Sequence, residues 1–298
     1  MLPCAVSCGV CSTDFESEHH APYTAAVLFD KMMERGFSCV QFAFSSIAES
    51  QFTPTGEIEI PAVIPADVLR TVSTQAQTHG IPVRVINGTF NMAHPDRAVR
   101  EEGIRRFAVL CEAAQALGAS FISLCSGTRN PAYLWSGHPD NGTDAAWADM
   151  RDTVVRCTET AERHGITLAI ESEASNIIST PARARRIMDE IGSSHLKMIL
   201  DCANLFHPGH AHADEVHATL DAAFAAYGHD IVLAHGKDIC EGDGIAFCGT
   251  GRGIVDFSYT AKLLRDYGFS GDMFLHGIYD EDDMVRARAH WLGAAASI

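Results

Sequence analysis

The sequence contains no apolar run near the roughly 18 residues that a membrane-spanning helix needs, and its amino-terminal stretch lacks the basic segment and long apolar region of a secretory signal. A soluble, cytoplasmic protein is therefore expected. Basic residues are scarce: 22 Lys and Arg stand against 38 Asp and Glu, giving a formal net charge of −16, and no Lys/Arg-rich block offsets it. Such a balance repels phosphate backbones and anionic membranes, so neither nucleic acid nor membrane is an expected partner. Low-complexity tracts, linkers and sequence-level repeats are also missing. Ten cysteines spread over 298 residues are too dilute for the disulfide framework of a small secreted domain, and reduced, mostly buried thiols are expected.

What the chain does have is a rhythm. Apolar runs rich in β-branched residues recur at 3–10, 39–44, 82–90, 119–125, 167–173, 196–202, 231–238 and 272–277, with helical spacing between them. The segments 100–118 and 144–165 show it best, each ending in a glycine (Gly118, Gly165) where a helix should stop. Eight units of about 37 residues match a strand plus its crossover helix, which predicts one (β/α)8 TIM barrel domain spanning 1–298, with an open doubly wound sheet as the alternative. The longer irregular stretches, 45–64, 126–143 and 239–254, each follow a predicted strand. In a barrel that is the carboxyl-terminal face, where active sites are built.

The opening MLPCAVSCGVC places Cys4, Cys8 and Cys11 in a C-x3-C-x2-C spacing that resembles the cluster motif of radical S-adenosylmethionine enzymes. Strand alternation argues against a cluster. It sets Cys4, Val6, Cys8 and Val10 on one face and Ala5, Ser7, Gly9 and Cys11 on the other, so the three thiols cannot converge.

Four late strands end in polar residues that a buried parallel strand carries only when they are paired or bound to metal. They are Glu171 in LAIESE, Asp201 in MILDCANLF, His235 in VLAHGKD and His276 in MFLHG. The intervals of 30, 34 and 41 residues are each about one β/α unit, which brings all four to one rim. Taken singly, each histidine fits a hydrogen-bonded core residue and each acid a structural ion pair. Together, two carboxylates and two imidazoles suit one divalent cation, Mn2+ first, with Zn2+, Co2+, Fe2+ or Mg2+ as alternatives.

With these residues in view, the chain resembles the xylose isomerase-like TIM-barrel superfamily of sugar isomerases and epimerases, which also contains inosose dehydratase and endonuclease IV. The resemblance rests on the Glu in LAIESEASN, the Asp in ILDCANLF, the His in VLAHGKD, the segment GTGRGIVDF, and the loop SGTRNPAYLWSGHPDN. It implies a metal held by Glu171, Asp201 and His235, with His276 where the epimerase pattern has a second glutamate. That pattern uses its two glutamates to move protons on opposite faces of the sugar, so the substitution at His276 breaks the two-glutamate mechanism. Asn204 is a second departure, standing where epimerases and endonuclease IV commonly have a histidine. Its presence and the acidic balance both argue against a nuclease.

The resemblance implies a small carbohydrate substrate and a homo-oligomer, although no interface stripe stands out. In the implied chemistry the cation polarises the carbonyl of a hydroxy-ketone while a base removes the neighbouring carbon-bound proton. Glu171 is the first candidate base, with Lys237 or His276 returning a proton. Lys237 also reads as a salt-bridge partner of Asp238. His94 in NMAHPD is a candidate for binding substrate hydroxyls and Asp96 for capping the next helix. Trp135 and His138 are placed to cover a sugar face, or to pack their own loop. Asn204 is a further substrate-binding candidate. Arg252 lies in a glycine-rich turn, within reach of a phosphate or carboxylate. His207, His210, His212 and His217 fit a solvated loop and helix start. A metal-dependent isomerase or epimerase is the leading reading. A lyase or dehydratase, including one that cleaves an oxidised glycoside, and a non-catalytic sugar-binding barrel are the alternatives.

Overall fold

The computed structural model describes residues 7–17, 19–278 and 280–297. Eight parallel strands close into a barrel: β1 (Cys8–Cys11), β2 (Val40–Phe42), β3 (Val83–Asn87), β4 (Phe121–Cys125), β5 (Thr167–Glu171), β6 (Leu196–Asp201), β7 (Ile231–Gly236) and β8 (Asp272–Leu275). Closure comes from β8, which pairs with β7 on one side and β1 on the other. Eight helices surround it: α1 (Ala25–Glu34), α2 (Ala66–His79), α3 (Arg97–Leu117), α4 (Asp144–His164), α5 (Pro181–Ile191), α6 (Val216–Tyr227), α7 (Phe257–Asp266) and α8 (Met284–Ala296). This is the (β/α)8 barrel that the alternation predicts, and no described helix is long and apolar enough to cross a membrane.

Local rules set the boundaries. The α3 helix starts at Arg97, three residues before the expected start at 100, because the Asp96 carboxylate accepts from the Ala98 N–H at 2.8 Å. It ends where Gly118 takes φ +72°, a conformation that a residue with a Cβ rarely adopts. Gly165 closes α4 in the same way. The predicted irregular stretch 239–254 instead contains part of a ribbon, Asp238–Ile239 paired antiparallel with Phe247–Cys248. Strands of two residues carry no periodic signal, so nothing in the pattern announced it.

Two apolar layers follow from strand alternation. Outward residues pack against the helices, whereas Cys11, Cys39, Val85, Ala169, Ile199, Leu233 and Phe274 fill the barrel interior. Cys8 belongs to the outer layer and Cys11 to the inner, so these two thiols diverge across β1; Cys4 lies outside the described residues. Gly9 faces inward too. A Cβ there would lie 2.6 Å from the Phe274 ring and 2.7 Å from the Cys39 sulfur, so glycine makes room for the interior phenylalanine.

Candidate metal centre and active-site cavity

The interior layer sets the height of the site. Two residues beyond Ala169, Ile199, Leu233 and Phe274 come Glu171, Asp201, His235 and His276, so the same face of each strand carries first an apolar and then a polar side chain. Gln41 and Asn87 stand in the same relation to Cys39 and Val85. Register then brings neighbours together: Asp201 pairs directly with His235, and Glu171 pairs with Ile199, two residues before Asp201.

Glu171, Asp201 and His235 present ligand atoms that all lie within 4.8 Å of one another. His235 Nδ1 is 3.5 Å from Asp201 Oδ2 and 3.6 Å from Glu171 Oε2. Its Nε2 faces Gln41 Oε1 at 3.1 Å; the N–H placed there turns the Nδ1 lone pair towards the carboxylates. Asp201 Oδ2 and His235 Nδ1 are both buried without a hydrogen-bond partner among the described residues. Burial disfavours a charged imidazole, but Glu171 and Asp201 outweigh it and raise the His235 pKa to about 9. Burial likewise opposes the Asp201 charge, yet Lys237 and His235 hold that carboxyl below its ordinary range. Positive charge is therefore wanted at the centre of the three. The ligand atoms of a zinc- or manganese-sized ion, each about 2.1 Å from it, stand roughly 3–3.4 Å apart, and the two separations from His235 Nδ1 exceed that by only a few tenths of an ångström. The donor set fits a divalent cation.

His276 does not join this group. Its Nδ1 lies 2.9 Å from Asp14 Oδ1, and its ring meets that of His235 edge-on at 5.4 Å between centroids. The Asp14 carboxylate also accepts from the backbone N–H groups of Gly277 and Ile278, which anchors the segment after β8. The fourth ligand expected from the chain pattern thus stands outside the converging group, its Nδ1 engaged by an acid 262 residues away in sequence. The arrangement corrects that expectation and leaves His276 on the wall of the cavity.

Lys237 is 8% exposed, donates to Asn204 Oδ1 at 2.7 Å, and lies 3.6 Å above the Phe247 ring. The Asn204 amide nitrogen in turn donates to Glu171 Oε1. Asn204 therefore links lysine to glutamate one layer behind the cavity instead of lining it. Asp238, the alternative partner for Lys237, is buried on the other face, where it accepts from four backbone N–H groups: Ile239, Gly251, Gly253 and Val255.

The cavity over the triad measures about 410 Å³. Trp135 lines it and donates its indole N–H to Glu59 at 3.0 Å. The other expected substrate contacts are held elsewhere. His94 is buried against the Pro131 carbonyl and accepts from the Asp96 N–H; His138 accepts from the Asp140 N–H at a helical turn; Arg252 makes a two-pronged ion pair with Asp283 at 2.7 and 2.8 Å. None of these three is among the described lining residues. The histidines at 207, 210, 212 and 217 scatter into separate pairings with Ser179, Glu215, Asp243 and Asp256.

Sequence reasoning passed over Asp14, Glu16, Gln41, Glu59 and Glu173. Glu173 had a legible signal, since it lies two residues beyond Glu171. Burial pushes its carboxyl up to about 7, against a hydrogen bond from Ser175 and with help from the Glu171 charge. Burial also raises Glu59, opposed by the Trp135 hydrogen bond.

A family model described as xylose isomerase-like TIM barrel matches residues 29–295. No curated protein matches the sequence. Among solved structures, an IOLI protein with a bound zinc atom superposes with a TM-score of 0.72 at 14% identity, covering 98% of each chain. The 3-keto-D-glucoside 4-epimerase YcjR from E. coli gives 0.68 at 17% identity, covering 97% of this chain and 99% of that one. The probable 3-DHS dehydratase AsbF from Bacillus anthracis gives 0.69 at 13% identity, with 96% and 97% covered. At such identities the likeness is one of fold, and it agrees with the closed barrel and the span of the family match. The chain belongs to the xylose isomerase-like TIM barrel family.

Proposed function

We propose that the protein is a divalent-metal-dependent isomerase or epimerase of a small hydroxy-ketone, with Glu171 as the base that removes the carbon-bound proton beside the carbonyl. The observation that carries this reading is the buried pair Asp201 Oδ2 and His235 Nδ1, without a hydrogen-bond partner among the described residues and facing Glu171 beneath the cavity. Glu171, Asp201 and His235 are the residues to hold the ion, Mn2+ first. When bound, it supplies positive charge that stabilises the oxygen on which negative charge develops.

The remaining steps belong to the chain itself. Asn204 holds Oε1 of Glu171 and so directs the carboxylate, while Lys237 fixes the amide that does this. With Nδ1–H donated to Asp14, His276 turns Nε2 to the cavity as a proton carrier, in place of the second glutamate of the epimerase pattern. Trp135 supplies an apolar wall that packs against carbon-bound hydrogens and keeps water out.

The test is a panel of ketoses incubated in D2O with Mn2+-loaded protein and followed by NMR. Solvent deuterium at carbon without loss of a group is expected, and Glu171→Gln should lower the rate by at least about a hundredfold. Undiminished turnover in that variant removes Glu171 from the role. The fold likeness to a dehydratase supports elimination as a second reading. Release of water or an aglycone in the same experiment is its signature.

A further inference from the structure

We propose that Cys240 and Cys248 form a redox modification site, a dithiol that closes reversibly to a disulfide across the ribbon beside the cavity. The inference stands apart from the reaction assigned above and holds whatever the substrate is.

Exposure singles the two residues out. Nine cysteines fall among the described residues; seven are buried, and Cys240 and Cys248 are the two that solvent partly reaches. Burial raises the thiols of the other seven, which suppresses the thiolate, the form that reacts. The two accessible thiols are also neighbours. In the antiparallel ribbon Asp238 pairs with Cys248, and the Cys240 N–H donates to the Ala246 carbonyl at 2.8 Å. Side-chain alternation therefore sets Cys240 and Cys248 on one face as diagonal neighbours, and their thiols hydrogen-bond one another. Burial first, then that hydrogen bond and the Asp238 charge, push the Cys248 thiol up to about 12, opposed by Arg252. Cys248 thus keeps its proton at neutral pH, and exchange starts at Cys240.

The oxidant is a low-molecular-weight disulfide such as glutathione disulfide. The Cys240 thiolate attacks one of its sulfurs and expels one small thiolate. Cys248 then loses its proton, attacks the Cys240 sulfur of the mixed disulfide, and expels the second. One S–S bond breaks and one remains, now within the protein; two protein thiols give up two electrons, the oxidant becomes two small thiols, and the leaving thiolates recover the two protons through solvent. Closure needs the sulfurs about 2.05 Å apart. The ribbon can make that adjustment, since its strands are two residues long and its tip, 241–246, is almost wholly exposed.

The bridge has a route to the cavity. Phe247 points to the opposite face of the ribbon from Cys248, lines the cavity, and lies 3.6 Å beneath Lys237, which holds Asn204 at 2.7 Å. A bond that draws the two strands together therefore acts on the cavity wall without the oxidant entering it.

The experiment treats full-length protein with glutathione disulfide at about pH 8 and reads intact mass, peptide maps after alkylation, and amide hydrogen exchange. Native protein should lose two hydrogen masses, a single linkage should join Cys240 to Cys248, dithiothreitol should reverse it, and exchange across 239–248 should slow by about threefold or more. Cys248→Ser should stop at a glutathione adduct on Cys240, whereas Cys240→Ser should react about tenfold more slowly or less. Phenylarsine oxide, which bridges two thiols only when they are close, should be taken up by native wild-type protein at one per chain and by neither variant. A linkage to any other cysteine overturns the proposal. So does wild-type protein that stays reduced or stops at a glutathione adduct, a native chain that takes up no arsenical, or ribbon exchange unchanged by oxidation.

Discussion

Adding Mn2+ to metal-free protein should raise its melting midpoint, and Asp201→Asn should abolish the rise. Three ligand atoms converge from β5, β6 and β7, strands that are adjacent only in the folded barrel, so the ion binds the native state and not the unfolded chain. An ion at a hundred times its dissociation constant stabilises the fold by about 2.7 kcal/mol. Unfolding entropy of about 2.1 cal/mol/K per residue gives roughly 0.6 kcal/mol/K for a chain of this length, so the midpoint should move by about 4 °C. Asp201 is fully buried and its Oδ2 has no other hydrogen-bond partner among the described residues; the amide of Asn removes the charge but keeps the shape. If the loss weakens the ion about a hundredfold, the same concentration contributes only about 0.4 kcal/mol, a shift below about 1 °C. Scanning calorimetry with EDTA and with graded Mn2+ reads both numbers. A wild-type midpoint indifferent to the ion, or an equal shift in Asp201→Asn, would refute the assignment of these residues as the metal centre.

Asp238→Ala should cost about 3–5 kcal/mol, or a midpoint lower by roughly 5–8 °C, since four backbone N–H groups lose one acceptor; urea denaturation measures it. Gly103→Ala should destabilise despite better helix propensity. The new Cβ would sit 2.1 Å from the buried Phe90 ring, and overpacking of about 1–3 kcal/mol exceeds a propensity gain of about 1 kcal/mol. Asp283 is held below the ordinary carboxylate range by Arg286 and Arg252, so its folded pKa is depressed. Its contribution to stability should be full above about pH 4 and fade as pH falls further, and Asp283→Asn should flatten that part of the stability–pH curve.

Much of the barrel was legible because its signals are local. Alternation of apolar residues along a strand, helical spacing between strands, and Gly118 or Gly165 at helix ends all act within a few residues. The same locality made Glu171, Asp201 and His235 visible, as polar residues where an apolar strand should continue. Glu173 escaped although it shares the face of Glu171, because a second acid just beyond a strand end reads as loop. Gln41 and Asn87 escaped because a neutral polar residue in a short strand raises no alarm.

The chain order alone thus pointed to the eightfold repeat, the rim on which the late strands end, and four polar side chains there, of which the folded barrel brings Glu171, Asp201 and His235 together. Closure of the barrel decided the rest. It brought Gln41 from β2 across to His235 on β7, set His276 against Asp14, and filled the glycine-rich turn with Asp238. The physical reason is one of range: backbone periodicity is set by neighbouring residues, whereas the partner that a buried polar atom finds depends on strand register and on which segments the closed sheet sets side by side.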